Sequence, residues 1–538
     1  MRQEYDWICV GSGASGLAGA IAAADRGASA LVLEKAPVLG GATAYSYGSL
    51  WAGCNYLQRA ANLDDTLDDT LAYLRFLAGG LADDERLVRF ATVAPTVIEY
   101  LHGLGVQFQM VAGLPDHYYP AAPGARPVGR TIEVQPLPRA ELGPLAAHLE
   151  ATPHMPEGVT WSEVLAWGGF GNRHAWDAGE LAARRAYFSA GQGLVAWLLT
   201  VCLAKGVEIR RSAPVDRLLV EDGRVVGVEV DGAGPVRARR GVLLATGGYE
   251  GNPTLVQALE DFPEAPNHFP PGITGDGLVM GAEVGGLVRK IPLRLSVMLG
   301  YWVPAADGSP PHFQSAGINE LAYPHSIVVN RAGRRFGDES FFQSLVPRLR
   351  EFDVPSHAFV NRPCFLLFDS QFARRYSFAG QAPGSPIPPW VARADSLAAL
   401  AEALGIDGPA LEDHVAAFNA AAREGQDPAF GRGQSSWSRR SAGDAGHAAN
   451  PNLGPLEEPP YYGVELAPSG TAAGGLTADV DGRVLHVRGH PIPGLYAAGN
   501  VCAVTEYGVG YQAGLSLASG MAFGYLAAAH ALGVPAGA

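Results

Sequence analysis

The feature that most constrains the fold is a glycine pattern set between two strands at the start of the chain. Residues 5–10 (YDWICV) read as a buried strand, GSGASG follows, and LAGAIAAADRG reads as a helix ending at Gly27. ALVLE at 30–34 is a second buried strand. In that context Gly11-x-Gly13-x-x-Gly16 reads as a dinucleotide fingerprint rather than an ordinary tight turn. The first glycine permits a sharp turn, the second lets backbone approach a pyrophosphate, and the third lets the helix pack closely on the strand. Ser12 and Ser15 fill the turn, and the helix N-terminus faces the phosphates. Glu34 lies 18 residues after Gly16, at the end of the next strand, where an acid bonds ribose hydroxyls; Lys35 follows it.

A chain of 538 residues exceeds one simple core, so two or more domains are expected. Apolar residues make up 48% and charged residues 17%, a globular composition. The net charge of −14, with no basic stripe, gives nucleic-acid binding no support. Five cysteines at 9, 54, 202, 364 and 502 form neither a CxxC pair nor a metal spacing, so neither zinc nor a disulfide framework is expected. Arginine far outnumbers the three lysines (Lys35, Lys205, Lys290), and with abundant Ala and Gly this points to a GC-rich bacterial genome. The first residues run straight into a strand without a charged-then-apolar leader. The most apolar helical stretch, around Leu194–Leu203, is too short to span a bilayer. The expectation is a cytoplasmic protein without a transmembrane segment, with loose membrane contact open if the substrate is lipophilic.

Residues 64–111 carry helical patterning, and about 112–185 reads as a loop-rich insertion, dense in Pro, His, Trp and Gly. Regularity returns with a helix at 191–206 and strands at 207–230, turned at Asp222-Gly223. Another buried strand lies in 239–252, and a long helix in 514–532. The expected organisation is 1–275 nucleotide-binding, 276–454 catalytic, and 455–538 returning to the nucleotide-binding domain.

Three segments choose FAD over NAD. GGATA (40–44) follows Glu34-Lys35 after a short gap and brings Gly41, Ala42, Thr43 and Ala44, with Tyr47, Gly48 and Ser49 just beyond. LLATGGYEGN (243–252) returns the chain to the nucleotide with Ala245, Thr246 and Gly247. GLYAAGN (494–500) does so again with Gly499 and Asn500. A site stitched from distant segments suits a long flavin cofactor. Val215, Asp276 in TGDG, Gly514, Ser516 and Leu517 complete the expected cofactor set.

In this order these segments resemble the fumarate reductase/3-ketosteroid dehydrogenase superfamily of flavoproteins, over nearly the whole chain. The resemblance implies an α/β fold: a discontinuous, three-layer Rossmann-like FAD domain with a parallel sheet, and an inserted α+β catalytic domain. In the fumarate reductase branch an arginine proton donor follows the RRFxxE motif, and a His-Thr pair grips a carboxylate. Here NRAGRRFGDESFFQSL (330–345) places Gln343 near the first, and PSGTAAGGL (468–476) lacks the histidine. The ketosteroid dehydrogenase branch fits better. DHYYPAAPGARPVGRTIE (116–133) resembles its active-site segment, with Tyr118 in register and Tyr119 beside it. EYGVGYQAGLSLASGMAFGYLA (506–527) resembles its ring-binding turn and last helix, with a spacing nearer Δ4 than Δ1 enzymes.

The implied activity is FAD-dependent desaturation α,β to the carbonyl of a cyclic ketone, a 3-ketosteroid or a smaller ring such as a cyclohexanone. Tyr511 and the Gly514 N–H would hold the ketone oxygen, with Tyr507 a second candidate. Tyr118 would take the α-proton, because Gln343 stands where the branch has a tyrosine. The alternative is a flavin-dependent alkene reductase of fumarate-reductase type. An external electron acceptor is implied, and no CxxCH is present to bind a c-type haem. His117, His268 and His325 read as ordinary surface or packing histidines, and Glu339 as structural or part of proton traffic.

Overall fold

The computed structural model describes residues 3–153, 155–305, 308, 311–316, 320–447, 449–470 and 472–535. The opening unit forms as its pattern requires: β1 (Glu4–Val10), α1 (Ala14–Asp25) and β2 (Ala30–Leu33). Alternate residues of β1 point to opposite sides of the sheet. Trp7 and Cys9 join the core under the helices, whereas Ile8 and Val10 join the core on the other face, where Tyr5 is also placed by a register shift between Tyr5 and Trp7. The helix α2 (Ala190–Ala204) leads into β3 (Glu208–Arg210), followed later by β4 (Gly234–Leu244) and β5 (Pro491–Ala497). These strands run β5-β4-β1-β2-β3, all parallel, with Arg483–Leu485 antiparallel at the edge.

Between β3 and β4 a hairpin joins Val215–Glu221 to Arg224–Val230. Its turn residues have positive φ, 48° at Asp222 and 74° at Gly223, which the Asp-Gly pair tolerates. The closing helix α3 (Leu515–Leu532) packs on α1. By length and composition α3, rather than the stretch around Leu194–Leu203, is the described helix able to cross a membrane; 72% of it is buried within the molecule, as a core helix.

A second sheet is antiparallel throughout, in the order His312–Ser315, Val297–Val303, Tyr461–Gly470, Cys364–Phe368, Ser326–Asn330. This corrects both expected boundaries. The strand Tyr461–Gly470 was assigned to the returning nucleotide-binding segment, yet it pairs at the centre of the second sheet. The helix Asp276–Glu283, assigned to the catalytic domain, buries Leu278 and Met280 in the same core as Val215 and Val256.

The expected loop-rich insertion is also more regular than its composition suggests. It contains the strand Thr131–Val134 and the helices Trp161–Ala166 and Ala178–Arg184. Arg130, buried, pins it by pairing with Asp65 at 2.6 Å and Asp116 at 3.0 Å, while the Trp51 indole donates to Asp116 at 2.8 Å.

Candidate functional site

The C-terminal ends of the parallel strands open into a cavity of about 590 Å³, where ligands of open α/β sheets bind. Gly11, Ser12, Gly13 and Ser15 line it from the first turn, Glu34 and Lys35 from the end of β2, and Gly41, Ala42, Thr43, Tyr47, Gly48 and Ser49 from the next segment. Val215, Ala245, Thr246, Gly247, Asp276, Gly499 and Asn500 continue the wall, and Tyr511, Gly514, Ser516 and Leu517 close it. The segments expected to be stitched together are thus brought together.

Five expected residues lie off this wall. Gly16 serves packing, since a Cβ there would sit 2.1 Å from the Gly11 carbonyl oxygen. Ala44 is buried. Tyr507 is buried behind the wall, its hydroxyl 3.1 Å from Ser516 Oγ. Tyr118 packs edge-on against Phe341 at 5.1 Å and Phe76 at 5.6 Å. Tyr119 is half-buried beside it. Burial pushes the Tyr118 hydroxyl above the usual phenol range, and the neighbouring Tyr511 adds to this. That is the opposite of what a tyrosinate base needs.

At the fingerprint, Glu34 spends its carboxylate on the loop. It accepts from the Ser12 N–H at 3.1 Å, the Ser12 hydroxyl at 2.7 Å and the Ala36 N–H at 2.9 Å. Lys35 pairs with Asp276 at 2.7 Å and donates to Thr274 at 2.6 Å, fastening the TGDG loop to β2. The start of α1 at Gly13 carries no side-chain cap, and Thr246 Oγ1, buried on the wall, has no partner among the described residues. The Ala14 N–H donates to Thr43 Oγ1 at 3.0 Å, and the rest of this helix N-terminus, beside an orphaned hydroxyl, fits a phosphate-bearing cofactor.

At the far end Gly514 precedes α3 with φ of 94°, and a Cβ there would lie 2.5 Å from the Leu50 carbonyl carbon. This helix start also lacks a side-chain cap. Tyr511 stands beside it, its hydroxyl pushed up to about 12 by burial, so it stays protonated and donates.

Sequence reasoning missed the support of this turn. Gln512 Oε1 accepts from the Tyr73 hydroxyl at 2.6 Å and from the His117 N–H at 2.9 Å. The His117 ring lies 5.3 Å from Tyr511 and 4.1 Å from Trp437, which lines the cavity. Burial lowers its pKa to about 3, so it is neutral. Its Nε2 therefore can accept from the Ala513 N–H at 3.4 Å. His268, read as an isolated histidine, also reaches the wall, with Nδ1 2.5 Å from Ser469 Oγ. Bonds between positions nearly 400 apart leave no spacing to recognise. Gln343 is buried off the wall with both amide atoms unpartnered among the described residues. Glu339 is held between Arg335 at 2.6 Å and Arg432 at 3.3 Å, a structural pairing.

Comparison with known proteins decides between the readings of this cavity. The FAD binding domain family matches residues 6–517. The 4-oxocyclohexanecarboxylate 2-dehydrogenase of Sinomonas cyclohexanicum is 35% identical, covering 100% of this chain and 94% of its own length. The chain belongs to the FAD-dependent fumarate reductase/3-ketosteroid dehydrogenase superfamily. The 3-oxosteroid 1-dehydrogenase of Mycobacterium tuberculosis (strain ATCC 25618 / H37Rv) is likewise 35% identical to this flavoprotein, over 98% of both chains. A crystal structure of 3-ketosteroid Δ1-dehydrogenase from Sterolibacterium denitrificans superposes on the flavoprotein with a TM-score of 0.86 at 29% identity, covering 99% of this chain and all of the other. Both steroid enzymes are 1-dehydrogenases by name. The flavoprotein binds FAD and is an oxidoreductase acting on CH–CH bonds. The glycine turn, Thr246 and the start of α1 are the groups that would hold the cofactor's phosphates.

Proposed function

We propose that this flavoprotein introduces a carbon–carbon double bond beside the carbonyl of a six-membered cyclic ketone. The observation that carries this is the meeting of the Tyr511 hydroxyl and the bare start of α3 on the cavity that the fingerprint opens. Desaturation beside a ketone passes a proton from the α-carbon to a base and a hydride from the β-carbon to the flavin. The α-proton becomes acidic only if the oxygen is stabilised as it turns enolate-like. The Tyr511 hydroxyl and the Gly514 N–H are two such donors, each contributing roughly 3–4 kcal/mol by analogy with oxyanion holes. FAD, when bound, supplies the hydride acceptor. His117 and Gln512 keep the Tyr511–Gly514 turn in place. Trp437, Met298 and Leu114 give the cavity an apolar wall that excludes water.

The ring ketone is the chemistry shared by the substrates in the relatives' names, a 3-oxosteroid and a 4-oxocyclohexanecarboxylate. Among the described residues no arginine lines the cavity, so a dicarboxylate clamp of fumarate-reductase type finds no support. An external acceptor would reoxidise the enzyme. Anaerobic mixing of the yellow holoenzyme with cyclohexanones and 3-ketosteroids tests the reading. Bleaching by at least one ketone class supports it. No bleaching by either, with reoxidation of the dithionite-reduced enzyme by an enoate, overturns it in favour of an alkene reductase.

A further inference from the structure

Arg294 is 3% exposed, on the segment leading into the strand Val297–Val303. Its Nε has no hydrogen-bond partner, and it forms no ion pair among the described residues. A guanidinium cannot shed its charge, and an unpaired buried charge is strongly destabilising. The acids whose charge reaches it, Glu250 and Glu260, are both pushed above the usual carboxylate range by burial, Glu250 to about 7. Glu250 therefore carries only part of its charge at neutral pH.

The guanidinium does approach a tyrosine. Its carbon lies 5.9 Å from the centroid of the Tyr507 ring, and the Leu295 N–H donates to the Val509 carbonyl at 3.0 Å, tying the two segments together. The Tyr507 hydroxyl is 3.1 Å from Ser516 Oγ. Ser516 stands in the first turn of α3 and lines the cavity. The positive charge of Arg294 bears on the Tyr507 hydroxyl, and that hydroxyl stands beside a second one at a helix N-terminus without a side-chain cap, where negative charge is already favoured.

We propose that Arg294, acting through Tyr507 and Ser516, stabilises the negative charge that reduction places on the flavin and so raises the reduction potential of bound FAD. Arg294 and Tyr507 are positioning residues here, since neither touches the cavity. The inference rests on the ring of FAD lying at the start of α3.

The test is the two-electron midpoint potential of holoenzyme variants, together with the dissociation constant of the sulfite adduct of oxidised flavin, which carries a similar negative charge. Arg294→Gln is expected to shift the reduction equilibrium at least about tenfold toward the oxidised form, about 30 mV for a two-electron couple, and to weaken sulfite binding by a similar factor. Arg294→Lys should recover most of both effects. Tyr507→Phe should shift both readouts in the same direction, and Arg294→Gln added to it should change them by less than about threefold. Wild-type potential and sulfite affinity in flavin-loaded Tyr507→Phe overturn the relay, even if Arg294→Gln fails to fold. Ser516→Ala separates the premise from the inference. A shift there without one in Tyr507→Phe leaves the flavin at α3 but removes the relay, whereas no shift in any variant overturns both.

Discussion

Tyr511 must stay protonated to donate, and burial secures that by raising its pKa to about 12. Tyr511→Phe is expected to lower kcat by roughly 10²–10³ while the bound flavin spectrum is unchanged, measured by turnover of a ketone that bleaches the wild type. Tyr118 is the contrasting case. It matches the family segment in register, yet its ring packs on Phe341 rather than reaching the wall. Tyr118→Phe should keep kcat within about threefold, whereas loss of a true general base costs roughly 10²–10⁴. Rate measurement on the purified holoenzyme decides, and a loss of 10² or more would reinstate Tyr118 as the proton acceptor. Thr246 offers a binding test that leaves chemistry aside. Its orphaned hydroxyl should pair with the cofactor, so Thr246→Val should weaken FAD binding by roughly three- to tenfold, the worth of one hydrogen bond, read by titrating apoprotein with FAD.

Among the elements, the crossing of α1 and α3 depends on residues without side chains. A Cβ at Gly524 would stand 2.3 Å from the Ser15 carbonyl oxygen, and one at Gly19 would stand 3.1 Å from the Gly524 carbonyl oxygen. Gly524→Val therefore pushes α3 away from α1 and displaces Ser15, which is part of the fingerprint. The expected cost is roughly 1–3 kcal/mol of overpacking, visible as a lower thermal midpoint and loss of flavin on gel filtration; an unchanged midpoint would refute the close crossing. These local elements were legible in the chain because their signals are local: glycines between a strand and a helix, Asp222-Gly223 between two strands, a long apolar helix at the end. The parts of the wall at Gly11–Gly13, Gly40–Gly41, Gly247 and Gly499 carry a glycine signal of the same local kind, whereas Leu114, Met298 and Trp437 reach it only through the fold. The strand Tyr461–Gly470 was misplaced for the complementary reason. Its alternating pattern suits any half-buried strand and does not say which sheet receives it. The insertion was read as loop because Arg130, Asp65 and Asp116 order it through pairings across 65 and 14 positions. The Tyr511–Gly514 turn was half legible: both residues stand in a recognisable segment, while His117 reaches them only through the fold.

For the whole molecule, buried acids set the response to pH. Glu320 is buried, with Oε1 accepting from the Tyr301 hydroxyl at 2.9 Å and Oε2 unpartnered among the described residues. Desolvation raises its pKa to about 7. A carboxyl with a raised folded pKa favours the native state at low pH, and that contribution is lost as pH rises through about 7. Glu320→Gln cannot ionise, so its stability relative to wild type should climb between pH 5 and pH 8 by up to about 3 kcal/mol, read as a rising difference in thermal midpoint. A difference that is flat with pH would show that Glu320 titrates normally. The stitched cavity has a consequence in time as well as in space. Its wall begins at Val10 and is completed by Leu517, at the head of α3, the helix that packs on α1. During synthesis the nucleotide fingerprint is made early but its closing wall emerges late. Until α3 has left the ribosome, the growing chain presents FAD with half a site, so a complete cofactor wall waits for α3, and α1 keeps an uncovered apolar face until that helix covers it.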